Sequence, residues 1–267
     1  MSLPGNWKNW ILQQLLAGQP AIKLLNTLME NGFQFEECKA LLGKNLPDNV
    51  KTPFDEAFYQ TLSRPRFLTD DHIQVEDFST PQIQLYGLPD LLTASECEDI
   101  IRIAQANFQP SKISAKSGYE GFRTSTTCNL SFLSDPVVSQ VESKIVQTLQ
   151  LGVGENEVIQ AQRYQQGQEF KQHTDYFEPG SDEYRQHASR RGQRTWTVMI
   201  YLNDDCKGGA TEFLNVSRKF QPTRGYGLVW NNLLPNGVPN PDTLHQAHPV
   251  TAGEKFVITK WFRTINQ

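Results

Sequence analysis

The chain has 267 residues, of which 38% are hydrophobic, and a formal net charge of -4 at pH 7. This length allows a full buried core, in one large domain or in a large and a small one. The 25 basic and 29 acidic residues form no long block of either sign. We therefore expect no nucleic-acid partner and no membrane partner, and a neutral or peptide-like partner fits better. The oligomeric state is left open.

The cysteines and the first residues bear on the cellular compartment. The four cysteines lie far apart without a C-x-x-C spacing, which argues against a disulfide framework and against a structural zinc site. The start, MSLPGNWKNW, lacks the basic and apolar segments of a secretion signal, and no run of about 18 apolar residues follows. We expect reduced thiols and a cytoplasmic protein.

Apolar residues at helical spacing predict three short helices at the amino terminus. They are Trp7, Trp10, Ile11 and Leu15, then Ile22, Leu25, Leu28 and Met29, then Cys38, Leu41 and Leu42. We predict a small helical module over residues 1–50 and a proline-bearing linker over 51–80, with one helix around Phe54–Leu62. The main domain then covers residues 81–267.

The main domain begins with a short strand, Ile83–Tyr86, and two helices with clear start signals. Thr93 followed by Glu96 has the spacing of a capping box. The second helix starts at Ser134-Asp135-Pro136, where an N-cap candidate precedes an early proline.

After Gly152 the hydrophobic period changes from helical to two, which predicts strands. The candidates are Val158–Tyr164, Glu169–Asp175, Thr195–Asn203, Gly227–Asn231 and Phe256–Arg263. Helices followed by many strands indicate a mainly β fold with flanking helices, either a barrel or a jelly roll.

A candidate metal site begins at His173 and Asp175, which are two residues apart and so face the same side of a strand. A third ligand must come from a remote segment, and His245 in LHQAHPV can supply it. Two imidazoles and one carboxylate leave three octahedral positions open, an arrangement typical of iron(II) oxygenases. His248 would face away from His245 on a strand but stays as the alternative ligand. A packing or surface role is the other interpretation of the short H-x-D triplet.

Lys255 lies on the same face of its strand as Val257 and Trp261, because alternate residues share a face. A buried ammonium requires a counter-charge, which the far carboxylate of 2-oxoglutarate would provide while its other end binds the metal. The alternative is a lysine that reaches water at the strand end. The hydroxyls of Tyr164 and Thr211 could add hydrogen bonds to the same carboxylate.

The charged run from Glu178 to Gln193 lies between the first two candidate ligands and the next strand. It is either a lid that orders over a substrate or a long mobile loop. His187 within it, and His72 in the linker, are expected to be solvated.

Three blocks match, in order, the prolyl 4-hydroxylase branch of the 2-oxoglutarate/iron(II) dioxygenases, which the chain resembles from about Pro81 to Arg263. They are EVIQAQRYQQGQEFKQHTDYF, GQRTWTVMIYLNDDCKGGATEF and LHQAHPVTAGEKFVITKWFR. The resemblance implies a double-stranded β-helix, of the cupin-like jelly-roll kind, and a proline-containing peptide or protein substrate. Its implied cofactors are Fe(2+), 2-oxoglutarate and O2, with ascorbate as reductant.

The resemblance also implies roles for single residues. The iron ligands are His173, Asp175 and His245, and the 2-oxoglutarate site is Lys255, Tyr164 and Thr211. Trp261 walls the pocket, while Arg194 and Glu157 match positions near a bound peptide.

Two positions depart from the family pattern. Phe170 stands where a tyrosine often lines the peptide groove, and Phe256 replaces a common tryptophan. These departures bear on the peptide specificity and not on the dioxygenase class. Three alternatives remain: the same chemistry on a free amino acid or other small molecule, a zinc hydrolase, and a non-catalytic peptide-binding barrel. The zinc hydrolase leaves Lys255 without a function and lacks an obvious general base.

Overall fold

The computed structural model describes residues 3–31, 33, 35–47, 56–65, 67, 74–111, 122–150, 157–179, 181–188 and 192–264. Its α-helices are α1 (Gly5–Leu16), α2 (Ala21–Glu30), α3 (Phe35–Leu42), α4 (Glu56–Leu62), α5 (Ala94–Gln105) and α6 (Pro136–Leu149). None of these helices has both the length and the apolar character needed to cross a bilayer.

The strands follow largely in the second half of the chain. They are β1 (Glu76–Asp77), β2 (Leu85–Leu88), β3 (Gln109–Pro110), β4 (Thr126–Asn129), β5 (Gln160–Tyr164), β6 (Phe170–His173), β7 (Arg194–Tyr201), β8 (Lys207–Gly208), β9 (Thr211–Phe213), β10 (Arg218–Phe220), β11 (Gly227–Asn231), β12 (His245–Ala247), β13 (Val250–Ala252) and β14 (Lys255–Arg263).

The three amino-terminal helices are confirmed and form an apolar cluster of their own. Leu24, Leu28, Cys38 and Leu42 are at most 2% exposed within it. The predicted apolar stripe was partly wrong, because Ile22 is 45% exposed and lies outside the buried face.

The predicted linker contributes two pieces to the main domain. The carbonyl of Leu62, at the end of α4, accepts a hydrogen bond from Nε1 of Trp196 at 3.0 Å. Strand β1 pairs antiparallel with β2. The predicted helix begins at Glu56 in the described residues, and Phe54 lies outside them. The domain boundaries at residues 50 and 80 stay a prediction.

Both predicted helix starts are confirmed. Thr93 and Glu96 form a complete capping box at the start of α5, with side chain and backbone bonded in both directions. The carboxylate of Asp135 accepts from the backbone N–H of Val137 at 2.8 Å, directly before Pro136 opens α6. Two orphan donors at each helix start are thereby satisfied or absent.

Two facing sheets build the main domain. The larger has the order β1-β2-β11-β7-β14-β5-β4-β3, the smaller has the order β10-β9-β12-β6, and β8 and β13 form a short ladder. Apolar residues of α5 and α6 cover one face of the larger sheet. The other face packs on the smaller sheet. This is the predicted double-stranded β-helix, a jelly roll with helices on one side.

The alternation along β14 sorts its side chains as predicted. Ile258 and Phe262 pack towards the helices, whereas Val257 packs between the two sheets. Lys255 and Trp261 therefore face the interior of the jelly roll, on the same side as Val257.

Several strand ends differ from the prediction. Strand β11 has the predicted bounds, but β6 ends at His173 rather than Asp175, and β7 begins at Arg194 and ends at Tyr201. The short strands β4, β9 and β12 complete the sheets although their three or four residues are too few for a period to be recognised.

Removing residues 1–47 should leave the jelly roll folded, because α1 to α3 bury their apolar residues against one another. We expect the melting temperature of the remaining chain to change by less than about 4 °C. Removing residues 1–64 also deletes the bond from Trp196 to Leu62 and should cost more. Insolubility of the shorter deletion would show instead that Trp7 and Trp10 pack onto the jelly roll.

Candidate metal centre

Strand pairing brings the two candidate histidine ligands together. His245 of β12 is the direct cross-strand partner of His173 of β6, and their ring centroids are 4.2 Å apart. Cross-strand partners share a face of the sheet, so both imidazoles point into the same cavity. Together with Asp175 they offer three ligand atoms that all lie within 4.8 Å of one another.

The two imidazoles are prepared to bind a cation through Nε2. Nδ1 of His173 lies 2.7 Å from the carbonyl of Lys171, and Nδ1 of His245 lies 2.8 Å from the carbonyl of Thr243. A carbonyl can only accept, so each Nδ1 carries a proton and Nε2 is the ring nitrogen left to bind a metal. Burial lowers the pKa of His173 to about 3, which keeps this ring neutral at physiological pH. The donor set therefore fits a divalent metal.

Asp175 reaches the cluster from a bend beyond β6, not from the strand itself. The prediction that it shares a strand face with His173 was therefore wrong in detail, because β6 ends at His173. Long-range contacts fix Asp175 instead. Its Oδ2 accepts from Thr197 Oγ1 at 2.8 Å, and its backbone carbonyl accepts from Arg194 Nη1 at 3.3 Å.

The environment keeps Asp175 ionised. Burial by itself would raise the pKa of this carboxyl. The neighbouring His245 and His173, Arg194 and the hydrogen bond from Thr197 outweigh burial, and the pKa lies below its ordinary value. An ionised carboxylate beside two imidazoles is a donor set that favours a divalent cation.

The remaining histidines lie outside the cluster. Nε2 of His248 lies 2.6 Å from Oε2 of Glu212, so His248 faces away from His245 as the strand period predicts. His187 is half-buried and its ring stacks on Phe177 at 5.5 Å, so the expectation of a solvated side chain was wrong. His72 lies outside the described residues.

Lys255 is buried in the same cavity without an acidic partner among the described residues. Its side chain is one of the largest fully buried ones, with the residue 1% exposed. Nζ donates to the carbonyl of Gly209 at 2.6 Å and lies 5.3 and 5.2 Å from the ring centroids of Tyr164 and Tyr201. Burial lowers the pKa of Lys255 to about 7, against a smaller opposite effect of Cys206. An anion bound in this cavity could pair with the Lys255 ammonium.

The cavity also contains Tyr164, Thr211 and Trp261. The hydroxyl of Tyr164 donates to Oε1 of Gln162 at 2.8 Å. Because that hydroxyl has one proton, it must reorient before it can donate to a bound carboxylate. Nε1 of Trp261 is buried and has no hydrogen-bond partner in the described part of the chain. Such an orphaned donor beside the cluster is typical of a site completed by a ligand.

Arg194 and Glu157 do not line this cavity, although the sequence placed them near a bound peptide. Nε and Nη2 of Arg194 donate to the two carboxylate oxygens of Glu157 at 2.6 and 2.7 Å. The guanidinium also lies 4.1 Å from the ring centroid of Trp261. Three of its five N–H groups are therefore engaged within the protein, including the one that donates to Asp175. Direct contact of Arg194 or Glu157 with substrate stays a prediction.

The segment 178–193 is more ordered at its ends than a free loop. The side-chain amide of Gln193 accepts from the backbone N–H of Phe177 at 2.8 Å and donates to the backbone carbonyl of Phe177 at 2.6 Å. Nη1 of Arg263 donates to the carbonyls of Gly192 at 2.8 Å and His187 at 3.3 Å. A helical turn covers Tyr184–Ala188, and residues 180 and 189–191 lie outside the described residues. Its action as a lid stays a prediction.

Sequence reasoning missed several cavity and supporting residues. Arg123 lines the cavity and its guanidinium lies 4.9 Å from the ring centroid of Phe170. Thr197 donates to Asp175, Asn232 donates to Thr197, and both residues are 0% exposed. The only signal for Thr197 was its place in a strand. Arg123 and Asn232 lie outside regular elements, where polar residues are usually solvated.

The chain matches a family model and aligns with known proteins over most of its main domain. Residues 159–263 match the 2OG-Fe(II) oxygenase superfamily. The chain is 32% identical over 201 residues to "probable prolyl 4-hydroxylase 9" of Arabidopsis thaliana, covering 67% of this chain and 68% of that protein. It is 32% identical over 195 residues to prolyl 4-hydroxylase 2 of the same plant, covering 64% of each. It thus spans about two thirds of these relatives.

A solved structure shares the fold. The viral collagen prolyl hydroxylase from Paramecium bursaria Chlorella virus-1, in its 2OG complex, superposes with a TM-score of 0.54 at 23% identity. The superposition covers 68% of this chain and 96% of that one.

Replacing His245 by Ala should lower iron(II) affinity more than about 100-fold, because a direct ligand exceeds the 10–100-fold effect of an outer residue. His248→Ala is the matched control and should retain iron, since its ring contacts Glu212 instead. Metal analysis of both purified variants under anaerobic conditions measures this. Loss of iron from the His248 variant alone would move the third ligand to that residue.

Proposed function

Because the chain belongs to the prolyl 4-hydroxylase family of 2-oxoglutarate- and iron(II)-dependent dioxygenases, we propose that it hydroxylates carbon four of a prolyl residue within a peptide or protein. When bound, iron(II) and 2-oxoglutarate supply the oxidising chemistry: one atom of O2 enters succinate, the other enters the new hydroxyl group, and CO2 is released. The residues of this chain bind, orient and shield these groups.

The cluster of His173, Asp175 and His245 is the observation that carries the proposal. These residues would hold the iron through two neutral imidazoles and one carboxylate oxygen. Three positions then remain for a bidentate co-substrate and O2. Asp175 and His245 are 7% and 6% exposed, and burial strengthens their interactions with a cation because water screens them less.

Lys255 would bind the far carboxylate of 2-oxoglutarate. It is buried, lines the same cavity as the metal cluster and lacks an acidic partner among the described residues. A bound carboxylate would supply the missing counter-charge and would stabilise the ammonium form. Thr211, 1% exposed in the same cavity, adds a hydroxyl that can donate to that carboxylate.

A prolyl residue in a chain fits the cavity better than a free amino acid does. Among the described residues that line the cavity, Asp175 is the only carboxylate, and the metal requires it. No acidic group remains to pair with the α-ammonium of a free amino acid. The rings of Trp261 and Phe170 offer an apolar wall for a proline ring. A proline-rich peptide is already extended in solution, so binding it costs little conformational entropy.

Two further properties belong to the proposal. Ascorbate would serve as the reductant that returns oxidised iron to iron(II). The cytoplasm is the proposed location, supported by four free cysteines, three of them buried.

Substituting Lys255 by Ala should weaken 2-oxoglutarate binding by roughly two to three decades, because one partner of a buried charge pair is lost. Iron affinity should change little, which separates this effect from damage to the metal cluster. An anaerobic 2-oxoglutarate titration of the iron-loaded variant measures it. An unchanged titration would remove Lys255 from the binding site.

The affinity for 2-oxoglutarate should fall as pH rises through 7. In the free protein burial sets the pKa of Lys255 at about 7, and a bound carboxylate raises it. Binding above pH 7 therefore takes up a proton, and affinity drops by up to about tenfold per pH unit. Lys255→Arg keeps its charge at every tested pH, so its weaker binding should show no such slope. A flat profile for the natural protein contradicts this titration.

Incubation of proline-containing peptides with the protein, iron(II), 2-oxoglutarate and ascorbate should add one oxygen atom to a prolyl residue, as seen by mass spectrometry. Free L-proline should stay unchanged, and the His245→Ala variant should give no product. Oxidation of free L-proline without any peptide product would refute the proposal of a peptide substrate and leave the dioxygenase chemistry in place.

A further inference from the structure

Three buried side chains form a continuous hydrogen-bond chain that ends on Asp175. Nε1 of Trp230 donates to Oδ1 of Asn232 at 3.0 Å, and Nδ2 of Asn232 donates to Oγ1 of Thr197 at 2.8 Å. Oγ1 of Thr197 then donates to Oδ2 of Asp175 at 2.8 Å. Trp230, Asn232 and Thr197 are at most 1% exposed. We propose that this hydrogen-bond chain is a positioning device that holds one oxygen of Asp175 away from the metal.

The chemistry of the indole fixes the direction of every bond in this chain. An indole N–H can only donate, so the atom of Asn232 that faces Trp230 is its carbonyl oxygen. The amide nitrogen of Asn232 therefore faces Thr197 and donates to its hydroxyl. That hydroxyl has one proton left to donate, and it must go to Asp175, which as a carboxylate can only accept.

The backbone keeps the members of the chain in register. Trp230 of β11 is the direct cross-strand partner of Thr197 of β7. The backbone N–H of Asn232 donates to the carbonyl of Thr195 at 2.6 Å, and the carbonyl of Asn232 accepts from Asn240 at 2.9 Å. Because its own backbone N–H and carbonyl are both bonded, Asn232 cannot flip its side-chain amide without breaking the two buried bonds to Trp230 and Thr197.

The hydrogen bond from Thr197 to Asp175 affects how many coordination positions the metal keeps open. Two imidazoles and a bidentate carboxylate would occupy four octahedral positions and leave two. A bidentate co-substrate and O2 together need three. Engaging Oδ2 of Asp175 leaves Oδ1 for the metal and keeps the third position open. Trp230 also packs edge-on against His245, with ring centroids 5.0 Å apart, so one indole orients groups at two ligands.

The inference rests on the proposed iron site, and cobalt(II) provides a probe that does not depend on turnover. Cobalt(II) replaces iron(II), its absorption spectrum reports the coordination, and 2-oxoglutarate is titrated into the cobalt-loaded protein. Thr197→Val keeps the shape of the side chain and removes the hydroxyl. We expect an altered cobalt spectrum and about 10–100-fold weaker 2-oxoglutarate binding, the size of effect typical of a partner that orients a ligand.

Conservative variants separate positioning from general damage. Thr197→Ser keeps the hydroxyl and should restore both the spectrum and 2-oxoglutarate affinity. Asn232→Asp can only accept from Thr197, so it turns the hydroxyl proton away from Asp175 and should reproduce the loss. Trp230→Phe keeps a ring against His245 and removes the indole N–H, and should give a smaller loss in the same direction. It tests the chain even where Thr197→Val does not fold.

The possible outcomes distinguish this inference from the function beneath it. If the natural protein binds neither cobalt(II) nor 2-oxoglutarate, the iron site itself is refuted, and the hydrogen-bond chain has no metal ligand to position. If the natural protein binds both and the folded Thr197→Val and Trp230→Phe variants match it in spectrum and affinity, only the positioning role is refuted. Loss of affinity in Thr197→Val with recovery in Thr197→Ser supports it.

Discussion

The pairing register of β12 against β6 is the constraint on which the rest of the site depends. It places His245 directly across from His173, with ring centroids 4.2 Å apart. Because side chains alternate along a strand, a slip by one residue would turn one imidazole out of the cavity. The same β12 pairs with β9 on its other side, which brings Thr211 across from Ala247. One short strand therefore fixes a candidate metal ligand and locates another residue that lines the same cavity.

Asp175 and Lys255, two charged groups that line the cavity, have different surroundings. Asp175 is kept ionised by its neighbours, whereas Lys255 is buried with only a carbonyl and two aromatic rings near its ammonium. Burying an unpaired ammonium is costly, and here the cost appears as a pKa lowered to about 7. A carboxylate bound against Lys255 would reduce that cost by pairing with its ammonium.

An ion cluster around Glu157 lies beside the bend that carries Asp175. Arg194 and Arg263 both contact its carboxylate, and each also reaches a carbonyl elsewhere, in Asp175 for Arg194 and in Gly192 for Arg263. The guanidinium groups of Arg194 and Arg263 lie 4.8 and 4.9 Å from the ring centroid of Phe177. The cluster thereby ties the metal-binding bend, the end of β14 and the base of the segment 178–193 into one unit.

The sequence by itself determined those features that depend on local period and on residue chemistry. Capping patterns located α5 and α6, alternation sorted the two faces of β14, and the odd offset of His248 separated it from His245. Tertiary structure alone decided how remote polar side chains meet. Asp175 lies two residues past the end of β6, although the predicted strand included it, and Arg194 is engaged by Glu157 instead of facing the cavity. Thr197 and Asn232 gain their roles only because β7 and β11 become neighbours, and no local pattern encodes which strands will pair.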